Sequence, residues 1–366
     1  MSFRIKKTIG IIGTNGLPGK YGGWDQLVNH LTINLREDFN FIVYTSYSNS
    51  DYKVSDINNA KLKIIKLKAN GFQSIFYDMI SMVHAVRKCD ILFICGISGA
   101  IFLPLIKLFK KKIVLNPDGL EWKRKKFNYL VKLFLKISER IGVKYSDLVV
   151  ADNKMLGNYF KAKYGINCEI IEYGGDHVIF DSTLGVVNQE KYAIFPKEYA
   201  FKVCRIEPEN NIDLILEAFT KSSIILVIVG NWNYSNYGKK LRNKYKNNSN
   251  LRLLDPIYTQ KTLDEIRNNC LIYIHGHSVG GTNPSLVEAM NLGLVILAFD
   301  VEFNRETTEN SALYFKNSKE LYKLLNQINN SEIRISDYSN KMKEIASRRY
   351  IWELITKKYL NAFNLH

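Results

Sequence analysis

The segment from Leu271 to Met290 narrows what this chain can fold into more than any other. An apolar run, Leu271-Ile272-Tyr273-Ile274, passes into His275-Gly276-His277-Ser278-Val279-Gly280-Gly281-Thr282-Asn283-Pro284-Ser285-Leu286-Val287-Glu288-Ala289-Met290. The run reads as a buried strand. Pro284 stands where the first turn of a helix loses nothing by lacking an N–H. Gly280 and Gly281 let the backbone approach a ligand closely. Thr282 and Asn283 are short polar residues suited to capping the helix. The free N–H groups of such a helix start, with the positive end of its dipole, favour a phosphate. Glu288 follows Pro284 by one turn, and its carboxylate can accept hydrogen bonds from sugar hydroxyls beside that phosphate. The same residues also read as a glycine-rich turn with a surface Glu, and the motif alone does not choose between the two.

A similar layout opens the chain. Thr8–Ile12 reads as a short buried strand. Gly13-Thr14-Asn15-Gly16-Leu17-Pro18-Gly19-Lys20-Tyr21-Gly22-Gly23 follows, then a helix from about Trp24, with Leu27, Leu31 and Leu35 at helical spacing. The loop suits phosphates but is neither a dinucleotide fingerprint nor a P-loop: Gly-x-Gly-x-x-Gly is absent, and Tyr21 follows Lys20 where Ser or Thr is required. It also reads as a long strand-to-helix turn, although it holds more glycines than a turn needs.

Phe41–Tyr44, Leu62–Leu67, Ile91–Cys95, Ile113–Leu115 and Leu148–Val150 are further strands, with helices such as Ile75–Arg87 between them. After a glycine-led, aperiodic linker in Tyr173–Tyr192 the pattern restarts: Ala200–Cys204 as strand, Ile212–Phe219 as helix, Ile224–Val229 and Leu294–Ala298 as strands. The tail, Arg348 to Phe363, reads as one amphipathic helix. Alternating strands and helices imply parallel sheets with right-handed crossovers, whose ligands sit beyond the carboxyl ends of the strands. At 366 residues there is chain enough for two such domains. The expected division is 1–178, 179–345, and a final segment 346–366 crossing back to the first domain.

The carboxyl-end rule selects two more loops. Asn116–Arg124 follows the Ile113 strand; its Asp118 and Glu121 are candidate acid/base or hydroxyl-binding carboxylates, although Pro-Asp-Gly is also a common turn. Arg205-Ile206-Glu207-Pro208-Glu209-Asn210-Asn211 follows the Ala200 strand. An Arg there can grip a diphosphate with its fork of donors, or pair with Glu207 or Glu209 at the surface.

The formal charge of +16 asks for an anionic partner. Ile101–Lys144 interleaves Lys107, Lys110, Lys111, Lys112, Lys123, Arg124, Lys125, Lys126, Lys132, Lys136, Arg140 and Lys144 with large apolar residues. This reads as a basic amphipathic surface for anionic headgroups, with a solvated helix face as the plainer alternative. No zinc-finger, RNA-recognition or helix-turn-helix pattern supports nucleic acid. The scattered cysteines, Cys89, Cys95, Cys168, Cys204 and Cys270, fit reduced thiols and a cytoplasmic chain. The lead before Ile9–Ile12 does not make a signal core, and no apolar stretch is long enough to span a bilayer. His275 and His277 are spaced like metal ligands but lack a third, so no metal is expected.

Four of these segments resemble family 4 glycosyltransferases, retaining enzymes of the GT-B fold. Gly280-Gly281-Thr282-Asn283-Pro284-Ser285-Leu286-Val287-Glu288 is similar to the family's Glu-Gly-Phe-Gly-Leu-Pro-x-Leu-Glu, with Gly280 in place of the first Glu. Arg205-Ile206-Glu207-Pro208-Glu209-Asn210 resembles Arg-x-x-Pro-Glu-Lys, with Asn210 in place of the Lys. The Tyr-Gly-Gly loop, Asp118-Gly119-Leu120-Glu121-Trp122-Lys123-Arg124 and His275–Pro284 resemble one branch, bacterial rhamnosyltransferases of capsule and O-antigen assembly. The resemblance implies two Rossmann-like, doubly wound domains facing a cleft. It implies a donor site of Arg205, Asn210, His277, Gly281, Thr282, Asn283, Pro284 and Glu288, and a cleft loop of Gly16, Gly22 and Gly23. Asp118 is the implied catalytic residue, where related enzymes place a His on the donor sugar. Glu121, Lys123, Arg124, Lys125 and Lys126 fall on the acceptor or membrane side.

The implied reaction moves a sugar from dTDP-L-rhamnose to a lipid-diphosphate-linked saccharide, with no cofactor, on the inner face of the plasma membrane. UDP-glucose, UDP-galactose, UDP-N-acetylglucosamine and GDP-mannose are the alternative donors. A GT-B epimerase or phosphorylase-like enzyme, and a non-catalytic basic module for membranes or nucleic acid, are the rival functions.

Overall fold

The computed structural model describes residues 6–19, 22–48, 55–179 and 185–365. Lys20 and Tyr21 of the glycine loop, and Met1–Ile5 of the charged lead, lie outside the described residues. The chain forms two compact units, Met1–Tyr173 with Trp352–His366, and Gly174–Ile351.

In the first unit the strands are β1 (Thr8–Ile12), β2 (Asn40–Ser46), β3 (Asp56–Ile57), β4 (Ala60–Ile65), β5 (Ile91–Cys95), β6 (Lys112–Asn116), β7 (Leu148–Ala151) and β8 (Glu169–Ile170). They pair in the order β3-β4-β2-β1-β5-β6-β7-β8, all parallel except β3 against β4. Helices α1 (Gly23–Asn34), α2 (Gln73–Lys88), α3 (Leu103–Lys107), α4 (Tyr129–Tyr145) and α5 (Lys154–Tyr164) connect them. Both faces of the central strands are covered, which is why β5 is an unbroken apolar run, whereas β4 near the edge alternates Lys61 and Lys63 with buried or half-buried apolar residues. Leu92, Ile94, Ile113 and Leu115 pack under Tyr77 and Met82 of α2, Leu103 and Ile106 of α3, and Leu135 of α4. On the other face Phe93 meets Tyr359 and Phe363 of the C-terminal helix, Trp352–Asn364, at ring separations of 5.4 and 5.5 Å. Lys112 donates to the carbonyls of Ala362 and Phe363 at 2.8 and 3.1 Å, so this lysine of the basic run ties down a helix end.

In the second unit the strands are β9 (Tyr199–Val203), β10 (Ile225–Val229), β11 (Leu251–Leu254), β12 (Ile272–His275), β13 (Val295–Phe299) and β14 (Leu313–Phe315), all parallel in the order β11-β10-β9-β12-β13-β14. The helices are α6 (Val186–Tyr192), α7 (Ile212–Phe219), α8 (Asn236–Tyr245), α9 (Gln260–Asn268), α10 (Pro284–Asn291), α11 (Glu302–Thr307), α12 (Ser318–Asn329) and α13 (Ile335–Arg349). One core runs from Ala200, Ile228, Ile274 and Leu297 of the sheet to Ile215, Leu216 and Phe219 of α7 and Leu321 and Leu325 of α12.

Two expectations change. The tail is not one helix: α13 ends at Arg349 and a new helix starts at Trp352. Tyr350 leaves the helical conformation because it is fully buried, with its hydroxyl donating to Thr307 O and its carbonyl accepting from Gly175 N and Asn291 Nδ2. The linker region is not wholly irregular either, since it holds α6. Seven residues, less than two turns, are too few to show a period.

Candidate functional site

The strand order of the second unit reverses between β9 and β12. These two pair only at Ala200–Ile272 and Phe201–Tyr273 and then separate, leaving a crevice at their carboxyl ends. The loops that leave them, Cys204–Asn211 and Gly276–Asn283, are tied together. Asn211 Nδ2 donates to Gly276 O at 2.8 Å, and Ser278 donates to Glu209 O through both its N–H and its hydroxyl at 2.9 Å. A side chain at Gly276 would put its Cβ 2.2 Å from Asn210 O, so only glycine fits.

Within this frame Arg205 is half exposed, with its Nε 3.8 Å from Glu207. Asn210 donates from Nδ2 to Arg205 O at 2.8 Å, and its Oδ1 lies 3.0 Å from His277 Nδ1. Asn210, His277 and Thr282 are all buried. Helix α10 starts as its sequence implies. Asn283 caps it, Oδ1 accepting from Ser285 N at 3.0 Å, and Pro284 is its first residue. Gly280 has φ +141, a conformation that L side chains rarely adopt, and Gly281 beside it is buried.

Glu288 is not a surface residue. It is 8% exposed, with Arg267 Nη1 2.6 Å from one carboxylate oxygen and His177 Nε2 3.3 Å from the other. Asp264 stands 3.5 Å behind Arg267. Burial by itself raises the Glu288 pKa, but Arg267 and His177 outweigh it and hold the carboxyl below its ordinary value. The carboxylate is therefore a fixed anion beside the start of α10. Sequence reasoning missed Arg267, Asp264 and His177. The first two sit on a polar helix whose buried face carries charge, and His177 lies in the segment taken for linker.

His275 is buried against Tyr273, and burial, then Lys202 and His277, push its pKa well below the usual value. Its neighbour His277 is engaged at Nδ1 by Asn210, 3.0 Å away. No group of three or more His, Cys, Asp or Glu able to hold a metal occurs among the described residues.

In the first unit the order reverses between β1 and β5. Gly13 and Gly16 of the loop after β1 have φ +94 and +88. A Cβ at Gly13 would lie 2.1 Å from Cys95 O, and one at Gly16 would lie 2.2 Å from Thr45 Oγ1. Gly22, at the start of α1 before Gly23, has φ +107, and a Cβ there would meet nothing within 4 Å among the described residues. Asp118 follows β6 in the left-handed region, φ +66, with Asn116 Oδ1 accepting from its N–H at 3.1 Å. Arg124 departs from expectation. It is buried, ion-paired with Glu121 and 4.0 Å from Asp118, so its guanidinium is held by these two carboxylates and not presented to a surface. Lys123, Lys125 and Lys126 remain exposed.

Helices α2, α3 and α4 carry a broad apolar exposure on one side of the first sheet: Phe72, Phe76, Ile80 and Val83 along α2, Leu105, Leu108 and Phe109 at α3, and Tyr129, Leu130, Leu133 and Ile137 on α4. The spacing 72, 76, 80 and 83 is one helical face. No helix among the described residues is long and apolar enough to cross a membrane.

Residues 6–176 match the model of a domain of unknown function, DUF1972, and residues 188–349 match glycosyl transferases group 1. No curated protein gives a significant sequence match. Among solved structures, a sucrose-phosphate synthase from Thermosynechococcus elongatus superimposes with TM-score 0.82 at 13% identity, covering 98% of each chain. Anabaena HepE in complex with UDP gives 0.77 at 12% identity, over 98% of this chain and 99% of HepE. TarM gives 0.71 at 12% identity, over 99% of both. At such identities the likeness carries the fold. The two parallel-sheet units are those of the GT-B fold, the second carries a glycosyl transferases group 1 domain, and the chain is a glycosyltransferase.

Proposed function

We propose that this glycosyltransferase takes its sugar from a nucleoside diphosphate bound in the second unit and passes it, with retained configuration, to a lipid-diphosphate-linked saccharide. The observation that carries the reading is the arrangement of Arg205, the start of α10 and the anionic Glu288 around the β9–β12 crevice. Arg205 and the positive dipole end of α10 favour a diphosphate, although the Ser285 N–H is already taken by the Asn283 cap and Pro284 has none. Glu288, its charge fixed by Arg267 and His177, accepts from ribose hydroxyls. HepE, of the same fold, has been crystallised with UDP and with UDP-glucose, which supports a nucleotide-sugar donor here. The motif resemblance favours dTDP-L-rhamnose, and the UDP sugars and GDP-mannose are its competitors. Asp118, with Gly22 and Gly23, is our proposed contact to the reacting sugars, and no metal takes part.

The exposed apolar residues of helices α2–α4, with Lys110, Lys111, Lys132 and Lys136 interleaved along the same stretch of chain and Lys107 paired with Asp147, support a peripheral seat on an anionic cytoplasmic membrane surface, as a lipid-linked acceptor requires. Each lysine near such a surface contributes about 1 kcal/mol. The role in surface polysaccharide assembly is part of the same proposal.

The test is a thermal-shift panel of dTDP, UDP and GDP sugars in EDTA, followed by turnover with the stabilising donor. A ligand at about 100 times its Kd adds about 2.7 kcal/mol of apparent stability. Arg205→Ala and Glu288→Ala should abolish most of the shift and cut turnover at least ~100-fold, a loss of roughly 2.7 kcal/mol of transition-state stabilisation. Wild-type activity in both would remove the donor-site assignment. No response to any nucleotide would return the chain to a binding role.

A further inference from the structure

We propose that Asn210 is a positioning residue that fixes His277 as the tautomer protonated on Nδ1 and so presents Nε2 as an acceptor for a donor-sugar hydroxyl. The second half of this statement rests on the donor site proposed above; the first rests on geometry alone. Asn210 Nδ2 donates to Arg205 O at 2.8 Å. A backbone carbonyl cannot face Oδ1, so this bond sets which way the amide points. Oδ1 is then the atom 3.0 Å from His277 Nδ1, and an acceptor there requires the hydrogen on Nδ1.

The ring is also held in place from around. Asn304 Nδ2 donates to His277 O at 2.9 Å, Ser278 N donates to Glu209 O at 2.9 Å, and Phe303 packs edge-on to the imidazole at 6.2 Å. Nε2 points at the Gly280 turn, where an added Cβ would come within 2.9 Å of it. That turn leads into the start of α10. Asn210, which stands where a phosphate-binding lysine is expected from the motif, therefore acts through His277 and not on the donor.

The test has two arms on the full chain. The first is a long-range 1H–15N spectrum of protein labelled on histidine, at a pH where the ring is neutral, with His277 identified by its loss in His277→Gln. Wild type should show a protonated Nδ1 and an unprotonated Nε2, and Asn210→Ala should move His277 toward a tautomer mixture. A wild-type His277 protonated on Nε2, or a tautomer unmoved by Asn210→Ala, would overturn the assignment. This arm needs no substrate, so it stands apart from any failure of the transferase reading.

The second arm is kinetic. Asn210→Ala should lower kcat about 10- to 100-fold, while Asn210→Asp, which keeps the acceptor, should recover at least half of that loss on a logarithmic scale. It should also shift the acid limb of the kcat/KM pH profile upward, because a carboxylate stabilises the imidazolium. Equal losses in the two variants, with no shift of the profile, would leave Asn210 a structural residue and overturn its positioning role. Denaturation midpoints of both variants within a few degrees of wild type exclude misfolding as the cause.

Discussion

Each unit buries a carboxylate near its sheet's reversal point, and the two behave oppositely. Asp78, on α2 in the first unit, is held by the backbone N–H of Gly99, and burial pushes its pKa up to about 8. Glu288, in the second unit, is equally buried, yet Arg267 and His177 pull it below its ordinary value. Burial alone neutralises a carboxyl, and a buried cation reverses the outcome. Glu288 is thus built as a permanent anion and Asp78 as a neutral acid through most of the physiological range. The loops beside them differ in the same sense. In the second unit side chains hold one another, through Asn210, His277, Asn283, Arg267 and Glu288. In the first unit backbone shape does more of the work, at Gly13, Gly16 and Asp118.

The sharpest way to break this comparison is to remove the cation. Arg267→Ala leaves Glu288 and Asp264 buried without their common partner and should cost roughly 3–5 kcal/mol in a denaturant titration. Nucleotide-induced stabilisation should disappear with it. A loss under ~1 kcal/mol, the range of surface pairs, would mean that Glu288 is solvated and not fixed.

Next in size is the backbone of the first unit. Gly13→Ala places a Cβ 2.1 Å from Cys95 O at a positive φ and should destabilise by about 3 kcal/mol, whereas Gly22→Ala, with no described atom within 4 Å, should cost about 1–2 kcal/mol for a backbone conformation (φ +107, ψ 158) that is essentially reserved for glycine. Gly13→Ala should not alter the nucleotide shift of the second unit. Equal costs would show that conformation, and not close packing, dictates both glycines.

The carboxylates themselves give a pH test. The native state holds the Asp78 proton up to about pH 8, whereas the unfolded chain releases it near pH 4, so this group's contribution to stability falls as pH rises across that window. Asp78→Asn should therefore raise the melting temperature by several degrees at pH 8–9, with the gap closing toward pH 4. Glu288 has the reverse sign: its contribution is present above the ordinary carboxyl value and is lost as pH falls through its depressed one. A gap for Asp78→Asn that does not vary with pH would mean an ordinary packing change.

The smallest effect concerns surfaces. Exposed large apolar residues lie singly on the second unit, at Ile179, Phe195, Tyr234 and Tyr258, but cluster along α2–α4 of the first. Leu108→Ser with Leu130→Ser should weaken co-sedimentation with anionic liposomes several-fold, since each leucine withdraws up to ~1.5–3 kcal/mol of burial. The same change at Phe195 and Tyr258 should leave it unaltered. Equal effects at both places would remove the membrane face.

Much of the fold was legible because the central strands of both sheets are buried on two sides. Ile91–Cys95, Ile113–Leu115 and Ile212–Phe219 appear in the structure where their apolar patterns put them. The start of α10 was legible for a local reason: Asn283 and Pro284 carry capping chemistry in their own side chains. Elements without such a signal were not. Helix α6 is too short to show a period, and the break at Tyr350 depends on Thr307, Gly175 and Asn291, far from it in sequence.

The site divides along the same line. Arg205, Asn210, His277 and Glu288 could be named from the chain because each lies in a loop or helix start that the strand pattern brings to a sheet's carboxyl end. Their roles could not. That Glu288 is an anion is decided by Arg267 and His177, and that His277 carries its proton on Nδ1 is decided by Asn210 and, behind it, Arg205 O. That Arg124 turns inward while Lys123, Lys125 and Lys126 stay outside is decided by Glu121 and Asp118. Residue order carries periodicity, capping and turn chemistry, which act over a few residues. Charge state, tautomer and burial depend on which groups from distant segments come within 3 to 4 Å, and only the packed chain sets those distances.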